Sequence, residues 1–222
     1  MEEKSIVKFK KEEFAIRNYV RNSLSRGRVS KVKIEYTPVG ERIIVSTSKP
    51  GLIIGRRGEK IDELTNVLKN KFKLGNPRIE IDDIQKPEFD AQIMADDIAM
   101  SLERFGPLKF KVTAYRTLQK IMNSGALGAE IRLNGKLPGA RAKTWRFAQG
   151  YLKKTGDSAK VVDRAKAVAQ TKPGTVGIKV AILSPEAILT DKISVNDQMI
   201  EEIKENTQME KIAVPKKKNK QK

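Results

Sequence analysis

The chain contains no cysteine and no histidine, and each absence removes a class of chemistry. Without cysteine there is no disulfide framework and no thiol nucleophile, which agrees with a reducing compartment such as the cytosol. Without histidine the protein lacks the most common general base and the most common metal ligand. We therefore expect neither an enzyme nor a bound cofactor.

Long apolar runs and aromatic side chains are also scarce. The longest stretch without a charged residue is nine residues, 121–129, which is too short to span a bilayer. The first thirteen residues carry eight charges of both signs, unlike the apolar core of a signal peptide. Aromatic residues make up 5% of the chain, so broad base-stacking platforms are not expected. These features favour a soluble intracellular protein.

What the chain has in excess is positive charge. Lys and Arg number 45 against 27 Asp and Glu, which gives a net charge of +18. Residues 104–179 hold 17 basic side chains and three acidic ones, a local net charge of +14. This excess points to a polyanionic partner, nucleic acid first and an anionic membrane surface second. No segment pairs a basic face with a large aromatic-rich face, which disfavours the membrane.

The pattern of residues 10–84 predicts a small α+β unit. The expected elements, in chain order, are a helix over 10–25, a β-hairpin with strands over 31–36 and 42–47, a short helix over 50–54, a longer helix over 59–72, and a strand over 78–84. The apolar residues near helical spacing in the first helix are Phe14, Tyr19, Val20 and Leu24. Those of the helix over 59–72 are Ile61, Leu64, Leu68 and Phe72.

The remaining sequence predicts a second α+β domain and a tail. Amphipathic helices are expected over 88–105 and 109–123, and strands over 129–133, 147–153 and 175–183. The helix over 109–123 has Phe110, Val112, Leu118 and Ile121 as its apolar residues. We place the domains at 1–84 and 85–190. Residues 191–222 are charged and have few apolar side chains, so we expect a largely disordered tail.

The segment "GLIIGRRGEKIDEL", residues 51–64, places two arginines between two glycines where a helix begins. A helix N-terminus offers unpaired N–H groups to a phosphate, and glycine lets a nucleic-acid backbone approach closely. Arg56 and Arg57 add cations beside that position. A ligand-free corner between two helices is the structural alternative. A triphosphate-binding loop would need GxxxxGK[ST], which the chain lacks.

After a helix and a hairpin and before a single strand, this segment resembles a type II KH domain. The segments "KPEFDAQIMADDIAMSLERF", "SGALGAEIRLNGKLPGARAKTW" and "TVGIKVAIL" are similar to the second domain of the ribosomal protein S-three family, and the short chain with its basic tail resembles the archaeal form. The similarity covers about residues 10–185. It implies a GxxG loop that clamps the backbone of about four nucleotides. It also implies a cytoplasmic protein in the head of the small ribosomal subunit, bound to rRNA and lining the channel through which mRNA enters. Head proteins of the S-ten and S-fourteen families are the implied neighbours.

We expect RNA contacts from three groups of residues, mainly to phosphates. The first group is the GxxG turn, with Gly55, Arg56, Arg57, Gly58 and Lys60. The second is the helix over 109–123, with Lys109, Lys111, Arg116 and Lys120; Val112 and Tyr115 stand where the bacterial family pattern has cations. The third is a glycine- and proline-containing loop with Lys136, Arg141, Lys143 and Arg146. A solvated basic face is the alternative for this third group. Trp145 is expected to anchor a core or an interface rather than stack on a base.

Two other functions are weighed against this one. A non-ribosomal KH-type regulator would bind RNA through the same turn, but the second domain and its charge disfavour it. A metal-dependent nuclease would hold Mg²⁺ on Asp82 and Asp83 or on Asp96 and Asp97. Adjacent residues on a helix point about 100° apart, and an acidic helix face is usually solvated, so we do not favour this reading.

Overall fold

The computed structural model describes residues 2–24, 29–38 and 40–189. The helices are α1 (Glu2–Ser23), α2 (Pro50–Ile54), α3 (Glu59–Phe72), α4 (Ala91–Phe105) and α5 (Phe110–Asn123). The strands are β1 (Val29–Thr37), β2 (Gly40–Thr47), β3 (Arg78–Asp83), β4 (Gly128–Gly135), β5 (Lys143–Gly150), β6 (Asp163–Thr171) and β7 (Gly174–Leu183). The fold class is α+β, as predicted. The tail predicted for 191–222 lies outside the described residues.

The first sheet has the strand order β1-β2-β3. The predicted hairpin is confirmed, since β1 and β2 pair antiparallel and Thr37 lies opposite Gly40 at the turn. The later strand β3 pairs parallel with β2, with Ile79 opposite Ile43. Apolar side chains of α1, α2 and α3 pack with those of the strands in one core. Its buried members are Ile16, Val20, Leu24, Val29, Val32, Ile43, Val45, Ile53, Leu64 and Leu68.

The predicted apolar face of α1 is partly wrong. Phe14 is 66% exposed, whereas Ile16 is buried together with Val20 and Leu24. These three residues repeat every four positions, so they share one face, and Phe14 is turned about 200° away from Ile16. Glu13 is buried instead, held by Lys10 at 2.7 Å and by Arg17 at 2.6 Å.

The second sheet is antiparallel throughout, with the order β5-β4-β7-β6. One face of it is covered by α4 and α5, and alternate residues of the strands are buried there. The buried members of this core are Ala91, Ile93, Met94, Ala95, Ile98, Ala99, Leu102, Phe110, Ala114, Leu118, Ile121, Ala126, Ala129, Ile131, Leu133, Leu137, Phe147, Ala165, Ala167, Ala169, Val176, Ile178, Val180 and Ile182. The other face, the uncovered face, has no helix packed on it among the described residues, although Leu152 and Lys154 of the segment after β5 lie against it near Glu130.

Three expectations for this domain are corrected. The strand expected over 147–153 runs over Lys143–Gly150, and β6 was not predicted. On α5, Val112 is 68% exposed and Ala114 is buried in its place. Ala114 lies four residues after Phe110 and four before Leu118, so the helical repeat places it on the buried face.

Polar contacts join the two cores. Asp90, at the N-cap of α4, accepts a hydrogen bond from the hydroxyl of Ser30 in β1. Asp163, at the start of β6, accepts one from the backbone N–H of Ala91 at 3.0 Å and lies 3.6 Å from Nζ of Lys31. The chain up to Ala187 clusters as one compact unit. The domain division at residues 84 and 85 stays a prediction. No helix in the described part of the chain is long and apolar enough to cross a membrane.

Candidate nucleic-acid interface

The Gly-Arg-Arg-Gly turn joins α2 to α3 through backbone conformations that most residues disfavour. Gly55 has φ 76° and ψ −172°, and Gly58, immediately before α3, has φ 86° and ψ 1°. Between them, Arg57 is left-handed as well, with φ 54° and ψ 19°. Glycine takes such angles without the steric cost of a Cβ atom. The N–H of Glu59 donates to the carbonyl of Arg56, and Gly58 has no side chain that could accept from the N–H groups that follow, so those groups can donate to a phosphate.

The cations of this turn are on its outer side. Arg56, Arg57 and Lys60 are all exposed. A Cβ atom at Gly55 would lie 3.0 Å from Cγ of Lys60, so glycine at this position lets the aliphatic part of Lys60 lie against the turn. The first turn of α3 also carries the acidic residues Glu59 and Asp62. Their charges complement the helix dipole and reduce the local excess of positive charge.

Beside the turn lies a groove of about 240 Å³ between α1, α2 and α3. Apolar side chains such as Leu52, Ile53 and Leu64 line it together with the polar or charged Ser23, Lys60 and Glu63. Lys60 therefore belongs both to the groove and to the turn. A groove with apolar and polar side chains next to phosphate-binding groups suits unstacked bases whose backbone is held at the turn.

Three of the four cations expected on α5 lie together. Lys109, Arg116 and Lys120 line a cleft of about 660 Å³ between α4 and α5. Asp97 of α4 lies in the same cleft; burial raises the pKa of its carboxyl, while the positive charge of Lys120 opposes that rise. Lys120 also forms an ion pair with Glu88, with 3.5 Å between Nζ and Oε1. The cleft is cationic, but part of its charge is already balanced.

The fourth cation, Lys111, lies apart from this cleft. Its Nζ is 4.8 Å from the centre of the Trp145 ring, a cation–π geometry. Trp145 packs against Phe110, with 5.3 Å between ring centres, and its indole nitrogen is buried. Nearby, the rings of Tyr115 and Phe147 are 5.0 Å apart. This placement agrees with the packing role expected for Trp145.

The four cations of the third predicted group lie in two different parts of the structure. Lys136 and Arg141 lie in the loop between β4 and β5, as expected, but Lys143 and Arg146 belong to β5 itself. Successive side chains of a strand point to opposite faces. Lys143 therefore shares the side of Trp145, towards the helices, whereas Arg146 is on the uncovered face of the sheet. All four cations are exposed.

Five further cations on or beside the uncovered face were missed by the sequence reasoning. The strands β4, β6 and β7 carry four of them, and the segment after β5 carries the fifth: Arg132, Arg164, Lys166, Lys179 and Lys154. The available signal was the alternation of cations with apolar residues in "RAKAVA" and "GIKVA". This alternation indicates a cationic face of the sheet only once the pairing of the strands is known.

One member of each acidic pair considered for Mg²⁺ accepts a hydrogen bond from a neighbouring side chain. Asp82 accepts a hydrogen bond from Ser46 at 3.0 Å, and Asp96 accepts one from Gln92 at 3.1 Å. Within residues 2–24, 29–38 and 40–189, no group of three or more Asp, Glu, His or Cys side chains is placed to hold a metal ion.

Comparison with known proteins gives two matching family models. A KH domain model matches residues 15–89, and the model of the C-terminal domain of ribosomal protein S3 matches residues 98–182. The small ribosomal subunit protein uS3 of Methanocaldococcus jannaschii is 38% identical over 198 residues, which cover 89% of this chain and 94% of that protein. The uS3 protein of Methanobrevibacter smithii is 37% identical over 88% of this chain and 78% of its own length. That of Methanothermobacter thermautotrophicus is 39% identical over 80% of this chain and 68% of its own length.

Proposed function

This chain belongs to the uS3 family of small-ribosomal-subunit proteins, and from that premise we propose that it binds ribosomal RNA in the head of the small subunit. It works in the cytoplasm, during translation, and helps form the channel through which mRNA enters. Its role is binding rather than catalysis. Small-subunit rRNA and mRNA are its nucleic-acid partners, and head proteins of the S-ten and S-fourteen families are its protein neighbours.

The observation that carries this proposal is the Gly-Arg-Arg-Gly turn at the start of α3. It combines donors at a helix N-terminus, two exposed arginines and an adjacent groove with a mixed apolar and polar lining. Phosphates bind favourably at such helix ends, and arginine reaches them with paired donors. The cleft of Lys109, Arg116 and Lys120 adds a second cationic surface, which we assign to the mRNA path.

Sedimentation of the endogenous protein tests the ribosomal assignment. We expect the protein to travel with small ribosomal subunits through a sucrose gradient and to stay bound at moderate salt. A protein found mainly in the light fractions, and still bound to RNA there, would instead be a free KH-type regulator. Metal-dependent cleavage of RNA by the purified protein, abolished by Asp97→Asn, would support the nuclease.

Binding of purified protein to RNA is expected to weaken steeply with salt. If six to ten phosphates are neutralised, the slope of log affinity against log salt concentration is about −4 to −7, at about −0.7 for each phosphate on single strands. Fluorescence anisotropy across a salt series measures this slope. A slope shallower than about −2 would contradict an interface dominated by phosphate contacts.

A further inference from the structure

Four cations lie side by side across the uncovered face of the second sheet. Arg132 of β4 is directly opposite Arg146 of β5 on one side and Lys179 of β7 on the other. Lys179 is in turn directly opposite Lys166 of β6. Neighbouring strands are about 4.8 Å apart, so this cationic row crosses all four strands over about 14 Å.

The strand alternation fixes which way this row faces. On β4, Ile131 and Leu133 on either side of Arg132 are buried against the helices, and on β7 Ile178 and Val180 flank Lys179 in the same way. Adjacent side chains of a strand point to opposite faces. The row therefore points away from α4 and α5, and its members are exposed.

Within the described residues, one carboxylate, that of Glu130, forms hydrogen bonds with cations of this face. Glu130 is 4% exposed and accepts hydrogen bonds from Arg132, from Nη2 of Arg146 at 3.1 Å, and from Nζ of Lys154 at 3.0 Å. Burial alone would raise the pKa of Glu130, but these hydrogen bonds outweigh it and lower the pKa to about 2. Glu130 is thus an ionised structural partner that orients three cations.

The far side of the row has no such partner. In the described part of the chain, Arg164, Lys166 and Lys179 form no ion pair with a carboxylate. They line a pocket of about 300 Å³ with Arg132, Lys154 and Glu130. Like charges directly opposite each other destabilise a sheet, so this arrangement costs folding free energy unless an anion covers it.

We propose that this surface, the cationic sheet face (Arg132, Arg146, Lys154, Arg164, Lys166 and Lys179), binds the sugar–phosphate backbone of double-stranded RNA. The proposal rests on the proposed function for RNA as the partner, and adds a second site remote in sequence from the GxxG turn. Arginine and lysine are the residues that neutralise RNA phosphates, and arginine binds them through two donors at once.

The neighbours of the row favour a duplex over single strands. Most outward positions next to it hold small or polar side chains, among them Thr144, Ala148, Asn134 and Ala181, and Val168 of β6 is an apolar exception that is 51% exposed. None of them can stack on an unpaired base, as single-strand sites require. Double-stranded RNA is recognised mainly through its shape, phosphates and 2′-hydroxyls, which exposed cations can contact. A protein partner would need an aromatic or large apolar cluster at the centre, whereas the centre of this row is cationic and the apolar Val168 and Leu152 lie beside it.

The test compares two variants of the full chain that lose the same charge. In the first, Lys166→Gln and Lys179→Gln remove the unpaired half of the row; in the control, Lys8→Gln and Lys11→Gln remove two exposed lysines of α1. With a blunt RNA duplex, we expect the first variant to bind at least about tenfold more weakly and its salt slope to be shallower by about 1 to 2. The control variant should bind the duplex like the wild type.

Two further measurements make the outcome specific. Lys166→Gln/Lys179→Gln should bind short single-stranded RNA like the wild type. The melting temperature of this protein variant should be equal to or above that of the wild-type protein, because opposed like charges have been removed. Lys166→Arg/Lys179→Arg keeps the charge and should bind the duplex like the wild type.

Unchanged duplex binding by Lys166→Gln/Lys179→Gln would overturn the proposal, and so would equal losses in the α1 control. An equal loss of single-strand binding, or displacement of the duplex by polyglutamate at the same charge concentration, would show a general polyanion surface instead. If duplex binding fails this test while the protein still sediments with small subunits, the sheet-face proposal falls and the ribosomal function stands.

Discussion

Replacing Glu130 with glutamine is expected to lower the free energy of unfolding by roughly 3 kcal/mol at neutral pH. The carboxylate is buried and holds Arg132, Arg146 and Lys154. Glutamine keeps the shape but loses the charge, so three cations remain around a neutral amide. For a chain of this size, we expect the melting temperature to fall by roughly 6–12 °C.

The effect of this substitution depends on pH in a defined direction. Folding lowers the pKa of Glu130 from 4.5 to about 2, because the hydrogen bonds from its cations overcome the effect of burial. The stabilisation is therefore fully present above about pH 4.5 and is lost as the pH falls towards 2. Thermal melts of the wild type and Glu130→Gln should differ most at neutral pH and converge between pH 4.5 and 2.

An exposed glutamate supplies the control for this series. Glu186 is exposed, so Glu186→Gln should change the free energy of unfolding by no more than about 0.5 kcal/mol at any pH. A constant difference between wild type and Glu130→Gln down to pH 2 would show that packing, and not the ion pairs, determines the loss.

Replacing Gly58 with aspartate is expected to weaken binding of short single-stranded RNA about five- to 150-fold. The new carboxylate would lie at the start of α3, where a phosphate is expected, and repulsion between the two anions costs roughly 1–3 kcal/mol. A Cβ atom at Gly58 meets no atom within 4 Å, so the substitution causes no clash. The φ of 86° adds roughly 1–2 kcal/mol of strain, which N-cap interactions of aspartate partly offset.

Gly58→Asn is the matched control, because asparagine has nearly the same size, tolerates the left-handed region and caps helices, but carries no charge. It should bind single strands much more tightly than Gly58→Asp, with circular dichroism confirming that both are folded. Arg56→Ala with Arg57→Ala should weaken the same contact less, because the backbone donors remain. Equal affinity of folded Gly58→Asp and wild type would mean that the turn is a structural corner or faces another protein.

The sequence determined most of the local structure around the turn. The predicted bounds of α2 and α3 agree with the observed ones, because Pro50, Gly55 and Gly58 mark the helix ends by their own backbone preferences. Helical periodicity predicted burial less well for apolar residues near the edge of the apolar face, such as Phe14 and Val112, which are exposed. In those cases burial depends on which neighbouring element covers the helix.

Two features of the second domain were decided by tertiary structure. The strand β6 has alanines at 165, 167 and 169 on its buried face. Because alanine has little β-propensity, the alternating pattern of this segment was a weak indication of a strand. The strand is evident from its antiparallel pairing with β7. The cationic row depends on register in the same way. Arg132, Lys166 and Lys179 are unremarkable surface cations in the sequence, and hydrogen bonding between strands far apart along the chain places them opposite one another. Local preferences of a residue carry no information about that pairing, because non-local contacts and the shared core select the register.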